Sequence, residues 1–310
     1  MPSPESFSID PRFCGPPGSG NGGYVCGRIA REIDGPAAVR LQVPPPLETD
    51  LTLRREDDTV ALYDGDTLVG RGRPIPFEPL GLEAPSFVDA EKASTSFRGH
   101  DFHPYPSCFV CGPARQDGLR LFPGALADPT LVACPWVPDA SLADADGRIG
   151  PEILWAALDC PGAFAFPQPE NTTMLLGELQ ARLLGDVAIG ERCTLVARAL
   201  SHEGRKHRTA TALFGALGEM HPEEPHWYLA MVGVDAAHQG QGLGSKLIQA
   251  GLERCDRDGT IAYLESSNPA NLPLYERHGF EVLKEIRIAD APPIYPMLRR
   301  ARGEGSRPPS

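Results

Sequence analysis

His238 to Gln249 reads HQGQGLGSKLIQ, with glycine at 240, 242 and 244. The stretch follows an apolar run, HWYLAMVGV (226–234), and opens a segment with Leu243, Leu247, Ile248, Gly251, Leu252 and Cys255 at helical spacing. A strand ending in small residues at a helix start aims several backbone N–H groups at one point. Glycines 242 and 244 admit a bulky anion where a Cβ would clash. Phosphate binding is the chemistry this arrangement suits. A dinucleotide fingerprint is excluded, because its G-x-G-x-x-G spacing would need glycine at Ser245. Two other places could do chemistry. Asp159 stands in the otherwise apolar helical run WAALDCPGAFA (155–165), where a carboxylate needs a partner. In GHDFHPYPSCFVCG, His100, His103, Cys108 and Cys111 are spaced H-x2-H-x4-C-x2-C and could supply four tetrahedral zinc ligands. A plain loop with buried thiols is the preferred reading there, and no metal is expected.

The elements that position these groups come from a chain of 310 residues, long enough for two or three domains. Hydrophobic residues make up 41% and charged residues 23%, which is ample for buried cores. The net charge of -12 argues against a nucleic-acid or anionic-membrane partner. It leaves open an anionic small molecule held by backbone amides. The opening MPSPESFSID lacks a basic stretch followed by an apolar core, so no signal peptide is expected. No apolar run approaches the ~20 residues of a membrane helix. Eight scattered cysteines read as reduced thiols in cytoplasm.

The first two thirds of the chain repeat a pattern. NGGYVCGRIAREI, from Asn21, places Val25, Ile29 and Ile33 on one helical face. Strand-like AAVRLQV, DLTLRRE and TVALYDGDTLVGRG follow, the last with a turn signal at Asp64-Gly65. Later PEILWAALDCPGAFAF predicts a helix opened by Pro151 and kinked or ended by Pro161. LLGELQARLL, RCTLVARAL and KHRTATALFGAL then read as strands. One helix and a meander of strands, twice over, is an internal duplication. With GSGNGGY (18–24), CFVCGPARQDGLRLFPG (108–124), WAALDCPGAFA and GRKHRTATALF (204–214), this part resembles the double hotdog, thioesterase-like family over residues ~8–216. The resemblance implies a carboxylate near the central helix that activates water, and helix amides that stabilise an oxyanion. Asp159 is the matching base. Asn21 with the Gly22 and Gly23 amides matches the oxyanion group, although Asn21 reads first as a helix cap.

After Glu219 strands and helices alternate, which predicts a separate α/β unit. GTIAYLESS and FEVLKEIRI read as strands, and NPANLPLYERHG as a short helix with a glycine stop. Gln239, Gly240, Gln241, Gly242, Leu243 and Gly244 fit Q-x-x-G-x-G, and ESSNPANLPLYERHGFEV (265–282) follows in order. This third resembles the CoA-binding half of the GCN5-related N-acetyltransferase (GNAT) superfamily. The resemblance implies acetyl-CoA as cosubstrate, its pyrophosphate held by the amides of that loop as far as Ser245. It places Asn268 and Asn271 along the CoA arm and Val234 beside the acetyl carbonyl. Tyr275 would be the general acid that protonates the departing thiolate, and a phenol with pKa near 10 is suitably protonated at neutral pH. Glu265 and His226 are candidate bases, each reading more readily as structural.

The first half of an acetyltransferase has no counterpart upstream of His226, and the second hotdog repeat lacks its last strand. The fold class expected is therefore α+β, a truncated tandem hotdog fused to half a GNAT fold. The boundaries fall at 1–100, 101–217 and 218–300, with a disordered tail at 301–310. Thr209–Phe214 is expected to pair antiparallel with Trp227–Val234, closing two raw edges at the junction. The functions implied are N-acetyl transfer to an unnamed amine, acyl-CoA hydrolysis at Asp159, or CoA binding without turnover. A homodimer is compatible with hotdog sheets.

Overall fold

Asn21 starts the first helix. Its side chain accepts a hydrogen bond from the Tyr24 amide at 2.9 Å, and α1 (Gly22–Ala30) follows with Val25, Cys26 and Ile29 fully buried. A short polar side chain suits this N-cap because it satisfies an amide that the helix leaves unpaired. The structure is a computed structural model that describes residues 6–78, 81–144, 147–167, 173–215, 222, 224–229, 232–234, 241–286 and 293–302. The chain divides into two compact units, Met1–Gly215 and Ala216–Ser310.

In the first unit a six-stranded antiparallel sheet runs β1 (Ser6–Phe7), β3 (Leu51–Glu56), β4 (Thr59–Asp64), β5 (Thr67–Pro74), β2 (Ala37–Leu41) and β8 (Glu178–Ala181). The hairpin between β4 and β5 forms where Asp64-Gly65 predicted it, Asp64 pairing with Thr67 and Gly65 taking φ +56°. A second sheet runs β10 (Lys206–Phe214), β9 (Cys193–Glu203), β7 (Leu131–Trp136) and β6 (Gly124–Ala125). Helix α1 packs on β2, β4 and β5. The later helix α3 (Pro151–Phe164) packs on β7, β9 and β10, and α2 (Phe87–Ser94) packs on β6 and β7. Two central helices, each backed by an antiparallel sheet, make the tandem hotdog arrangement that the repeats predicted.

Pro161 is expected from the sequence to kink or end α3; the helix carries it and runs on to Phe164, so it does not end there, since only one amide is lost and the buried face continues with Gly162 and Phe164. One detail differs from the sequence reading. Strand β8 belongs to the second repeat in sequence but pairs with β2 of the first, Val39 opposite Leu179.

The two central helices approach closely because α1 has glycine where it meets α3. A Cβ on Gly23 would lie 2.7 Å from both the Asp159 Cβ and the Trp155 carbonyl oxygen, and one on Gly27 would lie 2.5 Å from the Glu152 Cα. Both positions press on backbone, which cannot rotate away.

The second unit is a four-stranded sheet in the order β11 (His226–Tyr228), β12 (Ile261–Ser266), β14 (Tyr295–Arg299), β13 (Glu281–Val282). β11 and β12 are parallel, joined by α4 (Leu243–Asp258), while β14 runs antiparallel to both of its neighbours. Ile248, Leu252 and Cys255 of α4 are buried with Ala262, Leu264, Phe280 and Met297. Leu243 and Leu247, read as part of the same apolar stripe, are exposed at 37% and 56%. Among the described residues, the run 226–234 forms a strand over His226–Tyr228, at the sheet edge rather than its centre, and the run from Phe280 pairs at Glu281–Val282 and through a bridge from Ile286 to Ile294.

Thr209–Phe214 and Trp227–Val234, expected to pair with each other, have these partners among the described residues. The first segment pairs with β9 along its length, and His226–Tyr228 pairs in parallel with β12. The strand–helix–strand unit supplies β11 with a partner from its own crossover, the usual parallel connection.

Replacing Gly27 with alanine tests the helix crossing. Alanine favours a helix interior by ~1 kcal/mol over glycine, whereas forced overpacking costs about 1–3 kcal/mol. Gly27→Ala is expected to lower the chemical-denaturation stability of the protein. Gly185→Ala, with no atom within 4 Å of the added Cβ, is expected to stay within about 0.5 kcal/mol of wild type.

Candidate functional sites

The glycine-rich turn opens α4. Gln239 and Gly240 lie outside the described residues. Gln241 and Gly242 are exposed, and Gly242 is the N-cap in the left-handed region, φ +75°. Glycine adopts that conformation without the penalty a Cβ brings. Among the described residues no side chain caps the helix, and the amides of its first turn, from Leu243, Gly244 and Ser245, have no side-chain acceptor there. A Cβ on Gly244 would stand 3.6 Å from a Val234 methyl, which sets Val234 against the helix start. The Ser245 hydroxyl lies 2.6 Å from His278 Nε2. Ser245, Lys246, Gln249, Ala250, Glu253 and His278 line a surface pocket of about 310 Å³.

The other predicted residues of this unit fall on the segment that follows β12. Asn268 accepts from the Ala270 amide at 3.0 Å, and Asn271 is the N-cap of α5 (Leu272–Arg277). Both are exposed. Tyr275 is buried on α5 with its ring edge-on to Phe280, and burial raises its phenol above the usual value. Glu265 accepts from the hydroxyls of Tyr263 at 3.1 Å and Tyr228 at 3.4 Å, and His226 Nδ1 lies 2.9 Å from the Glu224 carbonyl oxygen.

Sequence reasoning missed the brace beneath this region. Arg299, 3% exposed, donates from Nη1 and Nη2 to the two Asp256 oxygens at 2.7 Å each, and from Nε to the His278 carbonyl at 2.9 Å. Asp256 also accepts from the Arg302 amide at 2.7 Å. The bond joins the end of α4 to the loop that carries His278. His278 itself is held below its ordinary value by burial and by Arg277, Arg299 and Arg302.

The second site lies in the first unit, where α1 meets α3. Asp159 Oδ2 accepts from the Gly23 amide at 3.0 Å and from Asn21 Nδ2 at 3.4 Å. Asn21 thus does two jobs: its oxygen caps α1 and its nitrogen faces Asp159. Burial pushes the Asp159 carboxyl up to about 7, and the hydrogen bond from Gly23 opposes the rise. The same Asn21 nitrogen lies 3.9 Å from Cys108 Sγ and 4.0 Å from Cys160 Sγ. Hydrogen bonds from the Cys111 and Cys160 thiols, with the Cys111 and Val110 backbone amides, hold Cys108 well below the ordinary thiol range.

Of the four candidate zinc ligands, the structure brings Cys108 and Cys111 together and places both histidines elsewhere. His100 packs edge-on to Phe97 and Phe122. His103 Nδ1 accepts from the Tyr105 amide, and its ring lies against Phe97 and Phe164. Aromatic packing outweighs ligation there, and burial lowers the His103 pKa toward the neutral form. The third sulfur beside Cys108 and Cys111 is Cys160. Its signal in the sequence was only its place next to Asp159.

Residues 181–280 match the model of the acetyltransferase (GNAT) family. The match begins in β8, within the first compact unit, and extends through α5. An uncharacterised N-acetyltransferase of Schizosaccharomyces pombe is 41% identical over 66 residues, which are 21% of this chain and 27% of that protein. A mycothiol acetyltransferase of Kocuria rhizophila is 34% identical over 128 residues, 38% of this chain and 39% of that protein. The chain thus spans well under half the length of these curated relatives. Among solved structures, one described as an oleoyl thioesterase from Lactobacillus plantarum aligns over 69% of this chain and 89% of its own, with a TM-score of 0.43 and 11% identity. No helix among the described residues is long and apolar enough to cross a membrane.

The Asp256–Arg299 pair gives a pH dependence with a definite sign. The Arg299 guanidinium holds Asp256 below the usual carboxylate range. Its contribution to stability is therefore complete above the unfolded value of about 3.9 and is lost as pH falls through the lower folded value. Asp256→Asn is expected to cost about 1–3 kcal/mol at neutral pH, between the surface and buried limits for an ion pair. Its unfolding midpoint should fall less steeply than that of wild type below about pH 4. Thermal unfolding followed across that range checks both.

Proposed function

We propose that the protein is an acetyl-CoA-dependent N-acetyltransferase acting on an amine acceptor. The observation that carries this reading is the side-chain-uncapped start of α4, with Gly242 in the left-handed region and Gly244 against Val234, inside the segment matched to the GNAT family. The fit is local and chemical. An open cradle of amides accepts phosphate oxygens and favours negative charge at a helix start. Gln239, Gly240, Gln241, Gly242, Leu243, Gly244 and Ser245 would hold the pyrophosphate, with Asn268 and Asn271 along the arm. The backbone beside Val234 would polarise the acetyl carbonyl. The neutral amine would attack that carbon, forming the C–N bond as the C–S bond breaks; Tyr275 would protonate the thiolate, and the proton lost from the nitrogen would pass through solvent to restore the phenol. Positioning of the two reactants supplies most of the acceleration in such a direct transfer.

A second reading, hydrolysis of an acyl-CoA thioester, is favoured by one observation. Asp159 is held by the Gly23 amide and Asn21 at the start of a central helix. That geometry would let a carboxylate direct water at a thioester carbonyl.

Calorimetric titration of acetyl-CoA into the full chain tests the first reading. Saturable binding is expected, and Gly242→Glu should abolish it by placing a carboxylate in the cradle. With an amine panel and detection of free thiol, Tyr275→Phe should lower turnover about 100-fold or more while leaving acetyl-CoA binding in place. Absence of binding, or binding that survives Gly242→Glu, would sink the proposal. Hydrolysis is distinguished by free acid released with no amine present, an activity that Asp159→Asn should remove.

A further inference from the structure

Three buried or half-buried thiols stand together where α3 meets the turn at 108–112. The Cys108, Cys111 and Cys160 sulfurs all lie within 4.8 Å of one another, with Cys108 and Cys160 at 3.9 Å. All eight cysteines of the chain are free thiols. Tetrahedral zinc with Zn–S near 2.3 Å sets its sulfurs about 3.8 Å apart, so closing this set needs shifts of about 1 Å at most.

The turn itself is shaped to aim two sulfurs at one point. Gly112 N–H donates to the Cys108 carbonyl at 2.9 Å, and Ala114 N–H to the Pro106 carbonyl at 3.0 Å. A Cβ on Gly112 would lie 2.5 Å from the Cys108 nitrogen, the Cys108 oxygen and the Pro106 oxygen, so only glycine closes the turn.

We propose that Cys108, Cys111 and Cys160 bind one zinc ion through three thiolates, tying the turn at 108–112 to α3. The set is soft and therefore selects zinc over magnesium or calcium. Binding displaces whatever protons the three sulfurs still carry and leaves the Zn–S3 group with a net charge of -1. Asn21 Nδ2, 3.9 and 4.0 Å from two of the sulfurs, is the neutral donor that faces this charge. Neither His100 nor His103 takes part. The proposal depends on neither the acetyltransferase nor the hydrolase reading.

The test uses the full chain purified under reducing conditions without chelator. Elemental analysis is expected to give one zinc per chain. Cobalt(II) added to the chelated protein should give the absorption bands of a tetrahedral thiolate site. In the protein as purified, Cys108, Cys111 and Cys160 should resist alkylation until a chelator is added, as read by peptide mass. This measurement on wild type stands even if a variant fails to fold. Cys160→Ser should lose the zinc, whereas Cys134→Ser, a buried thiol in β7 outside the group, should retain it. Three results would overturn the proposal. These are reduced wild-type protein that takes up neither zinc nor cobalt, zinc retained in full by Cys160→Ser, and alkylation of the three thiols that ignores the chelator.

Discussion

The close crossing of α1 and α3 is the constraint on which the first unit depends. With hydrogen in place of a side chain at Gly23 and Gly27, the helix backbones meet at distances that a methyl group would forbid. The gain is not only packing. Close approach brings the Gly23 amide to Asp159, so a carboxylate in an apolar helix finds a backbone donor. It also sets Asn21 between Asp159 and the sulfurs of Cys108 and Cys160. An unpaired carboxylate in that position would cost several kcal/mol or stay protonated. The polar site is a consequence of the crossing, and loosening it would take the Gly23 amide and Asn21 away from Asp159 and Asn21 away from the Cys108 and Cys160 sulfurs.

The second unit uses glycine for a different purpose. Gly242 and Gly244 do not permit helices to touch; they leave room. Among the described residues nothing lies within 4 Å of the Cβ position on Gly242, which stands at the positive end of α4. Holding the turn still falls to the other end of the helix. Arg299 ties Asp256 to the loop at His278, whose ring meets Ser245 at the helix start. One buried guanidinium with three directed bonds therefore braces both ends of the helix at once.

Much of this was legible in the sequence wherever local rules decide. Asn21 as a cap, the hairpin at Asp64-Gly65, the start of α4 and the short helix after Asn271 all follow from capping and turn chemistry at a few adjacent residues. The losses came where long-range pairing decides. Nothing in LLGELQARLL announces that Glu178–Ala181 will lie beside β2, because a strand's partner is set by the free edge it meets. Strand β14 was missed because Pro296 sits inside Tyr295–Arg299 and reads as a breaker. His100 and His103 had metal-ligand spacing but lie among Phe97, Phe122 and Phe164. Cys160, 52 positions beyond Cys108, carried no spacing signal at all. Periodicity reports which face is buried, not which distant residue is buried against it.

The net charge of -12 bears on how such a chain could hold an anion. At physiological ionic strength the Debye length is about 8 Å, so exposed carboxylates farther than that from the α4 start are largely screened. What counts is the local field. There the helix presents amides without a side-chain cap, and Lys246 lines the pocket with Ser245 and His278. Glu253 is the acidic group on that wall. Oriented amides need no counter-charge of their own and lose little when the rest of the surface is negative. An acidic protein can therefore bind a phosphate ester, provided recognition is by backbone geometry rather than by a basic patch.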